Sequence, residues 1–136
     1  MQLFASLVRS ASLLELHVSG NNLGVAAETG NYAELVALLE KSSSLQVISL
    51  SNNGLRDDAL QRPGEGLSRN TAVHSLKASG NVFTPLGVAG FARLVQTNTA
   101  LRTLNLSTEA LRDDETVYVE TLRLLSSAGR LDAVLL

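Results

Sequence analysis

The sequence contains no cysteine, and its basic residues are few and dispersed. The absence of cysteine excludes disulfide bonds and thiolate metal sites, and it is typical of a reducing compartment. The 11 Lys and Arg residues occur singly along a chain of net charge -2, so no basic stripe favours nucleic acid or an anionic membrane. We therefore expect an intracellular, cytoplasmic protein with no nucleic-acid partner.

Long apolar runs are also missing from the sequence. No run approaches the roughly 20 residues that a membrane-spanning helix needs. The N-terminal residues lack the basic start and the long apolar stretch of a secretory signal. The sequence therefore predicts neither a membrane span nor a secretory leader.

Apolar residues recur in a spacing that is not helical. Counting from Leu45, apolar residues stand at the first position and three and five residues further on; an asparagine follows at eight and a leucine at ten. The alternation within this frame predicts a short strand that is buried on one face, and the asparagine predicts a turn. The frame occurs as Leu13, Leu16, Val18, Asn21 and Leu23; Leu45, Ile48, Leu50, Asn53 and Leu55; Val73, Leu76, Ala78, Asn81 and Phe83; Leu101, Leu104, Leu106, Glu109 and Leu111; and, cut short, Leu131, Val134 and Leu136.

The frames start at residues 13, 45, 73, 101 and 131, so they are 28 to 32 residues apart. A period in this range predicts a solenoid, in which each repeat packs only on its neighbours. We expect a single array with repeats at 13–44, 45–72, 73–100 and 101–130, the helix of a truncated repeat at 1–12 and the strand of another at 131–136. Neither end carries a polar cap, which predicts a fragment of a longer array.

Each repeat has a helical pattern after its frame. In the first repeat Asn31 and Glu34 resemble a capping box with Asn31 at the N-cap, and Leu35, Leu38 and Leu39 form an apolar stripe. These residues predict an amphipathic helix whose apolar stripe faces the strand.

The helix of the second repeat contains a proline. Proline in a helix interior costs about 3 kcal/mol, and Pro63 is followed by Gly64 and Gly66. We therefore predict a short or irregular helix here, with Asp57 or Asp58 as its N-cap.

The third and fourth repeats have clearer helices. Thr84 and Pro85 predict an N-cap and a first helical residue. In the fourth repeat Asp113 or Asp114 is the expected N-cap, and Gly129 is the expected helix stop. The side chains predicted to face inward are Phe91, Leu94, Val95, Val119, Leu122 and Leu125.

The stacking of such repeats predicts a curved scaffold. Strands pair at about 4.8 Å whereas helices are about 10 Å wide, so the strands must line the inside of the curve. An asparagine side chain both donates and accepts hydrogen bonds, so Asn21, Asn53 and Asn81 predict a ladder that joins the turns of successive coils. Glu109 breaks this ladder, because an ionised carboxylate only accepts.

The frame Leu-x-x-Leu-x-Leu-x-x-Asn-x-Leu, with a helix in each 28-residue step, resembles leucine-rich repeats of the ribonuclease-inhibitor type. Segments that carry the resemblance are Asn98-Thr-Ala-Leu101-Arg-Thr-Leu104-Asn-Leu106 and Ser51-Asn-Asn53-Gly-Leu55. The resemblance covers nearly the whole chain. It implies a right-handed α/β solenoid with a parallel sheet on the concave face and helices on the convex face. The family includes ribonuclease inhibitors, Ran GTPase-activating proteins, tropomodulin-like actin cappers and NOD-like receptors.

Residues between the inward leucines point out of the strands and into the groove. They form three predicted columns: Glu15, Val47, Ser75, Thr103 and Ala133; His17, Ser49, Lys77, Asn105 and Leu135; and Ser19, Ser51, Ser79 and Ser107. Arg102 and His74 flank the groove. These columns are the candidate protein-binding residues, although they carry no aromatic or arginine anchor of the kind that strong interfaces use. The alternative is that the serines only suit a tightly curved, solvated surface.

The sequence predicts no active site, cofactor or metal. His17 and His74 are two repeats apart, roughly 10 Å by strand spacing, which is too far to share a metal. The leading hypothesis is a non-catalytic scaffold that binds a protein partner. The alternatives are a GTPase-activating regulator that resembles Ran GTPase-activating proteins and a ligand-sensing domain of a NOD-like receptor. We also expect self-association through the terminal repeats, at residues 131–136.

Overall fold

The computed structural model describes residues 12–24, 32–108, 115–126 and 133–136. Within these ranges strands and helices alternate along the chain. The strands are β1 (Glu15–His17), β2 (Val47–Ser49), β3 (Ser75–Lys77), β4 (Thr103–Asn105) and β5 (Ala133–Leu135). The helices are α1 (Ala33–Lys41), α2 (Asp57–Arg69), α3 (Pro85–Val95) and α4 (Glu115–Ser126). The predictions that lie outside the described residues concern 1–11, Glu109, Leu111, Asp113, Asp114, Gly129 and Leu131. The prediction that Asn31 is the N-cap of α1 is wrong, because Tyr32 occupies the N-cap and no side chain forms a capping hydrogen bond there.

The described strands form one parallel sheet in chain order, β1-β2-β3-β4-β5. The inward residue of each strand pairs with its equivalent on the next: Leu16 with Ile48, Ile48 with Leu76, Leu76 with Leu104, and Leu104 with Val134. The α/β solenoid predicted from the recurring frame is confirmed. Each of the five strands has three residues, in keeping with the short strand that the frame predicts.

One continuous core fills the space between the sheet and the helices. Leu35, Leu38 and Leu39 of α1 are fully buried, as their helical spacing predicts. Leu16 and Ile48 meet them from the strand side of the same core. Each buried side chain of this size stabilises the fold by roughly 1.5–3 kcal/mol. The core is shared between coils, because each helix packs against the next from α1 to α4.

An asparagine ladder joins the turns that follow the strands, as predicted. Asn53 Oδ1 accepts hydrogen bonds from the backbone N–H groups of Asn21 (2.8 Å) and Leu23 (3.3 Å) in the preceding coil. Asn81 Oδ1 accepts in the same way from Asn53 (2.9 Å) and Leu55 (3.1 Å). The side-chain amides of Asn53 and Asn81 donate to carbonyl groups of their own coil and of the coil before. The ladder therefore satisfies backbone groups that the turns leave unpaired.

A second ladder joins the ends of the helices. Asn70 donates to the carbonyl groups of Leu39 (2.6 Å) and Ser42 (3.1 Å) in the preceding coil. Asn98 donates to the carbonyl groups of Leu67 and Asn70 in the coil before it. Carbonyl groups at helix ends lack helical partners, so this ladder satisfies them while fixing one coil on the next.

The second helix is neither short nor irregular, and that prediction is wrong. α2 has 13 residues and contains Pro63 in its interior. The carbonyl of Ala59, four residues before Pro63, accepts a hydrogen bond from the Tyr32 hydroxyl at 2.9 Å. The buried side of α2 includes Pro63, Gly64 and Gly66. Tertiary packing and a donor from the preceding coil hold the helix together.

The N-cap of α3 is the predicted residue, whereas the N-cap of α2 is not. Thr84 is the N-cap of α3, with Pro85 next to it and a side chain that accepts from Gly87 N–H, as predicted. The prediction that Asp57 or Asp58 caps α2 is wrong, because Arg56 occupies the N-cap and no side chain forms a capping hydrogen bond there. The carboxylate of Asp57 instead accepts from the backbone N–H of Thr84 at 2.8 Å and from the Thr84 hydroxyl.

Helix α4 follows only part of its predicted pattern. Leu125 is buried and Leu122 packs partly buried against the core, but Val119 is 51% exposed, so the prediction that it faces inward is wrong. Ala89 holds the equivalent position in α3, twelve residues before the next frame, and it is only 8% exposed. Helix α3 packs against α4, whereas no described helix follows α4.

Candidate functional site

The face of the sheet that points away from the helices, here called the strand face, carries the predicted columns. The first column pairs Glu15 with Val47, Val47 with Ser75 and Ser75 with Thr103, and it continues to position 133. The second runs through His17, Ser49, Lys77, Asn105 and position 135. The register that the frame predicts thus brings side chains from separate coils side by side.

The third column contains the serines that follow the strands. The Ser51 carbonyl accepts from Gly20 N–H at 3.0 Å, and the Ser79 carbonyl accepts from Asn52 N–H at 2.9 Å. The Ser107 carbonyl accepts from Gly80 N–H at 3.0 Å. These backbone bonds extend the pairing beyond the strands, so the serines keep the same register.

Hydroxyl groups on the strand face bond to one another across coils. The hydroxyls of Ser19 and Ser49 are 2.7 Å apart, and those of Ser51 and Ser79 are 3.2 Å apart. Ser49 and Ser75 are only 6% and 7% exposed. Ser49 and Ser75 are therefore not simply solvated.

Charged side chains project beyond the short serine side chains of the strand face. On β1 the Glu15 carboxylate and the His17 ring form a pair at 3.0 Å, and both side chains are exposed. Lys77 is exposed on β3, between the short side chains of Ser49 and Asn105. The strand face thus carries an acid–imidazole pair at one side and a cation near its centre.

A further column lies just before the strands, beside the strand face. The Leu14 carbonyl accepts from Gln46 N–H, the Gln46 carbonyl from His74 N–H, and the His74 carbonyl from Arg102 N–H. All of these side chains are exposed. His74 and Arg102 are the flanking residues predicted from the sequence, whereas Leu14 and Gln46 were not predicted. All four residues occupy the second position of their frames, so including that position in the predicted columns would have found them.

The Asn105 side chain is tied to the third column. Its Oδ1 accepts from the Ser107 hydroxyl at 2.6 Å and from the Ser107 backbone N–H at 3.1 Å. These bonds fix the amide at the end of β4. A fixed amide beside Lys77 gives this part of the strand face a defined set of polar groups.

Outside the strand face, the described part of the chain offers few candidate sites. Within residues 12–24, 32–108, 115–126 and 133–136, no three His, Asp or Glu side chains are grouped so as to hold a metal ion. In the same ranges no helix is long and apolar enough to cross a membrane. A groove of about 530 Å³ lies along α4. Its lining residues are Glu115, Thr116, Val119, Glu120, Arg123 and Leu124, none of which belongs to the strand face.

Short parallel strands in register, each joined to the next through a helix, define a solenoid of the leucine-rich-repeat kind. No family model matches the chain, and no curated protein matches its sequence.

Solved structures do match the fold. One is described as the actin-binding site 2 of leiomodin-1; it is 16% identical, with a TM-score of 0.85 over 97% of this chain and 75% of that chain. Another is the C-terminal domain of tropomodulin from Caenorhabditis elegans, which is 15% identical, with a TM-score of 0.76 over 98% of this chain and 81% of that chain. At these identities the similarity shows the fold.

Proposed function

We propose that the chain is a non-catalytic scaffold of ribonuclease-inhibitor-type leucine-rich repeats that binds a protein partner on its strand face. The observation that carries the proposal is the register of the strands. It places Val47, Ser75 and Thr103, and beside them Ser49, Lys77 and Asn105, on one surface. A surface built from several coils is wide enough to meet a folded partner, whereas a single short strand is not.

Actin is the partner that the comparisons favour. The leiomodin-1 structure of the same fold is described as an actin-binding site, and the tropomodulin domain shares that fold. The strand face of this chain lacks aromatic anchors among its described residues, so we expect micromolar rather than nanomolar affinity. An intracellular location, as expected from the sequence, would place the chain with actin.

The experiment is a binding titration of the purified chain against monomeric actin and against actin filaments. The chain has no cysteine, so a single introduced cysteine can carry a bulky maleimide label. Lys77→Cys places the label on the strand face, and Glu65→Cys places the same label on the exposed side of α2. Because the two proteins differ only in where the label sits, their comparison locates the binding surface.

We expect the unlabelled chain to bind at least one form of actin. The label at position 77 should weaken binding by about tenfold or more, because the loss of a surface patch removes several contacts, whereas the label at position 65 should not change it. Absence of binding to both forms contradicts actin as the partner. Binding that resists the label at position 77 contradicts the strand face as the site.

A further inference from the structure

The turn after β2 contains the only Asn-Gly pair in the sequence, Asn53 and Gly54. The backbone nitrogen of the next residue attacks an asparagine side chain most readily when that residue is glycine, because glycine has no Cβ to crowd the reaction and samples many backbone conformations. Asn81 holds the same ladder position one coil later, but Val82 follows it, and the branched Cβ of valine crowds that attack. The two asparagines therefore have similar positions in the ladder and different chemical reactivity.

The fold keeps the two reacting groups of this pair apart. Nδ2 of Asn53 donates to the carbonyl groups of Leu50 (3.0 Å) and Ser51 (3.1 Å), which precede it in the chain. The attacking nitrogen belongs to Gly54, which follows it. Asn53 is only 1% exposed, whereas Gly54 is exposed and has a positive φ of 65°. The nitrogen is thus open to water while the side-chain amide is held by the ladder, so the reaction requires this amide to leave its hydrogen bonds.

We propose that Asn53 is a site of spontaneous deamidation, and that the asparagine ladder protects it until the turn after β2 opens. In the open turn the Gly54 nitrogen gives up its proton and attacks Cγ of Asn53. The new N–Cγ bond closes a cyclic succinimide, the Cγ–Nδ2 bond breaks, and Nδ2 leaves as ammonia with the proton that the Gly54 nitrogen released. Water then opens the succinimide, giving aspartate by hydrolysis at Cγ or isoaspartate by hydrolysis at the backbone carbonyl. The overall reaction consumes water and releases ammonia, and no group is oxidised or reduced.

Neither product can restore the ladder. A carboxylate only accepts hydrogen bonds, so the bonds from Nδ2 to the carbonyl groups of Val18, Leu50 and Ser51 are lost. Aspartate also places a charge where the native side chain is buried, which is unfavourable without a partner, and isoaspartate adds the Cβ methylene to the backbone of the turn. Val18 follows β1, and β1 pairs only with β2 among the described strands. Deamidation therefore loosens this edge of the strand face irreversibly.

The first test follows deamidation of the full chain at mildly alkaline pH, in native buffer and in guanidinium chloride. Trypsin places Asn53 in the peptide 42–56 and Asn81 in the peptide 78–93, and mass spectrometry of the fragment ions measures the conversion of each asparagine. In guanidinium chloride we expect Asn53 to convert at least about tenfold faster than Asn81, because only Asn53 precedes glycine. In native buffer its conversion should slow by about tenfold or more, because the reaction then waits for local opening. Equal rates for Asn53 in the two solvents, or equal rates for the two asparagines in guanidinium chloride, would overturn the proposal.

Two variants determine whether this turn opens on its own. Asn81→Ala removes the acceptor of the Asn53 and Leu55 backbone N–H groups (2.9 and 3.1 Å) while leaving the Asn-Gly pair intact. The control, Asn98→Ala, removes hydrogen bonds of the second ladder, at the ends of the helices. Thermal unfolding establishes that both variants are folded. Asn81→Ala should speed deamidation of Asn53 in native buffer by about fivefold or more and leave it unchanged in guanidinium chloride, whereas Asn98→Ala should have little effect in either solvent. Equal acceleration by both variants would assign the reaction to global unfolding and contradict protection by this turn.

The last test concerns the modified chain, for which Asn53→Asp serves as a direct substitute. Amide hydrogen exchange is compared at Val18, whose N–H bonds to the Ser49 carbonyl, and at Ala78, whose N–H bonds to the Asn105 carbonyl. We expect exchange at Val18 to be at least about tenfold faster than in the wild type and exchange at Ala78 to be unchanged. Unchanged exchange at Val18 would show that the ladder tolerates a carboxylate, and it would contradict the loss of the β1 edge.

Discussion

The hydroxyl of Tyr32 donates a hydrogen bond of 2.9 Å to the carbonyl oxygen of Ala59, one coil away. In an uninterrupted helix that carbonyl would accept from the N–H four residues later, where α2 has Pro63, which has no N–H. Tyr32 is fully buried, so no water reaches either group. Tyr32 therefore replaces the donor that the proline removes, and it stabilises α2 from the neighbouring repeat.

This compensation predicts that Tyr32 and Pro63 are energetically coupled. Tyr32→Phe should lower the free energy of unfolding by about 1–3 kcal/mol, because the Ala59 carbonyl is then buried without a donor. In a Pro63→Ala background the same change should cost less, since residue 63 regains a backbone N–H. Urea unfolding of the wild type, both single variants and the double variant measures the coupling. Costs that simply add would show that the two residues are independent.

The burial of Tyr32 also predicts a loss of stability in alkali. Burial raises the pKa of the Tyr32 hydroxyl far above its ordinary value, with a smaller opposing effect from Arg62 and a smaller raising effect from Asp58. Below the ordinary pKa of about 10, the hydroxyl is neutral in both states and its contribution to stability is fully present. Above about pH 10 the unfolded chain releases this proton while the folded chain retains it, so stability falls by about 1.4 kcal/mol per pH unit.

The Tyr32→Phe variant serves as the control for this pH dependence. The difference in unfolding free energy between wild type and variant should be constant below about pH 9 and should decrease steadily above about pH 10. The other titrating groups are common to both proteins, so their contributions cancel in the difference. A difference that stays constant through the alkaline range would contradict a buried, neutral Tyr32.

The asparagine ladder predicts that substituting different turn asparagines lowers the unfolding free energy by unequal amounts. Asn53 is buried; its Oδ1 accepts two backbone hydrogen bonds, and its two N–H groups are shared among the carbonyl oxygens of Val18, Leu50 and Ser51. Asn53→Ala should therefore lower the unfolding free energy by roughly 3–5 kcal/mol, because several buried backbone groups lose their partners. Asn22 is exposed with a positive φ of 55°, so Asn22→Gly should change stability by less than about 1 kcal/mol. Chemical denaturation compares them, and equal effects would argue against the ladder.

Much of this architecture can be predicted from the sequence, because the spacing of the leucines determines which residues of each strand face the core. The register of Leu16, Ile48, Leu76 and Leu104 follows from the frame alone, and so does the N-cap role of Thr84, which is local. The features that the sequence did not predict depend on a neighbouring coil. Tyr32 and Ala59 are 27 residues apart, as are Asp57 and Thr84, and no local pattern connects them.

On the strand face, too, some features follow from the frame and others depend on a neighbouring coil. The columns follow from the alternation of the frame, whereas the burial of Ser49 and Ser75 depends on which side chains flank them on adjacent strands. The asparagines at 70 and 98 share one phase, three residues before Val73 and Leu101. Their function as a second ladder was not evident, because the carbonyl groups they reach belong to the preceding coil.

The free edge of β5 in this chain predicts self-association. Among the described strands β5 pairs only with β4. Val119 of α4 is half exposed, whereas its equivalent Ala89 is buried in α3, which packs against α4. An edge strand has unpaired N–H and C=O groups that match those of a second copy, so we expect two chains to associate through β5 and α4. Sedimentation velocity over a range of concentrations measures this.

Two variants distinguish this contact from nonspecific hydrophobic association. Val119→Asp should shift the chain toward monomer, whereas Leu86→Asp should not, although Leu86 on α3 is 79% exposed. A chain that stays monomeric at high concentration, or an equal effect of the two variants, would rule out this mode of association.

The central claim is that successive coils stack in register, so that equivalent strand-face residues are neighbours. Its most direct test is disulfide formation between introduced cysteines, since the natural sequence has none. The hydroxyls of Ser51 and Ser79 are 3.2 Å apart, so Ser51→Cys with Ser79→Cys should form an intrachain disulfide under mild oxidation. Ser51→Cys with Ser107→Cys, two strands and roughly 10 Å apart, should remain reduced. Failure of the first pair to close, or equal closure of both pairs, would contradict the stacked register.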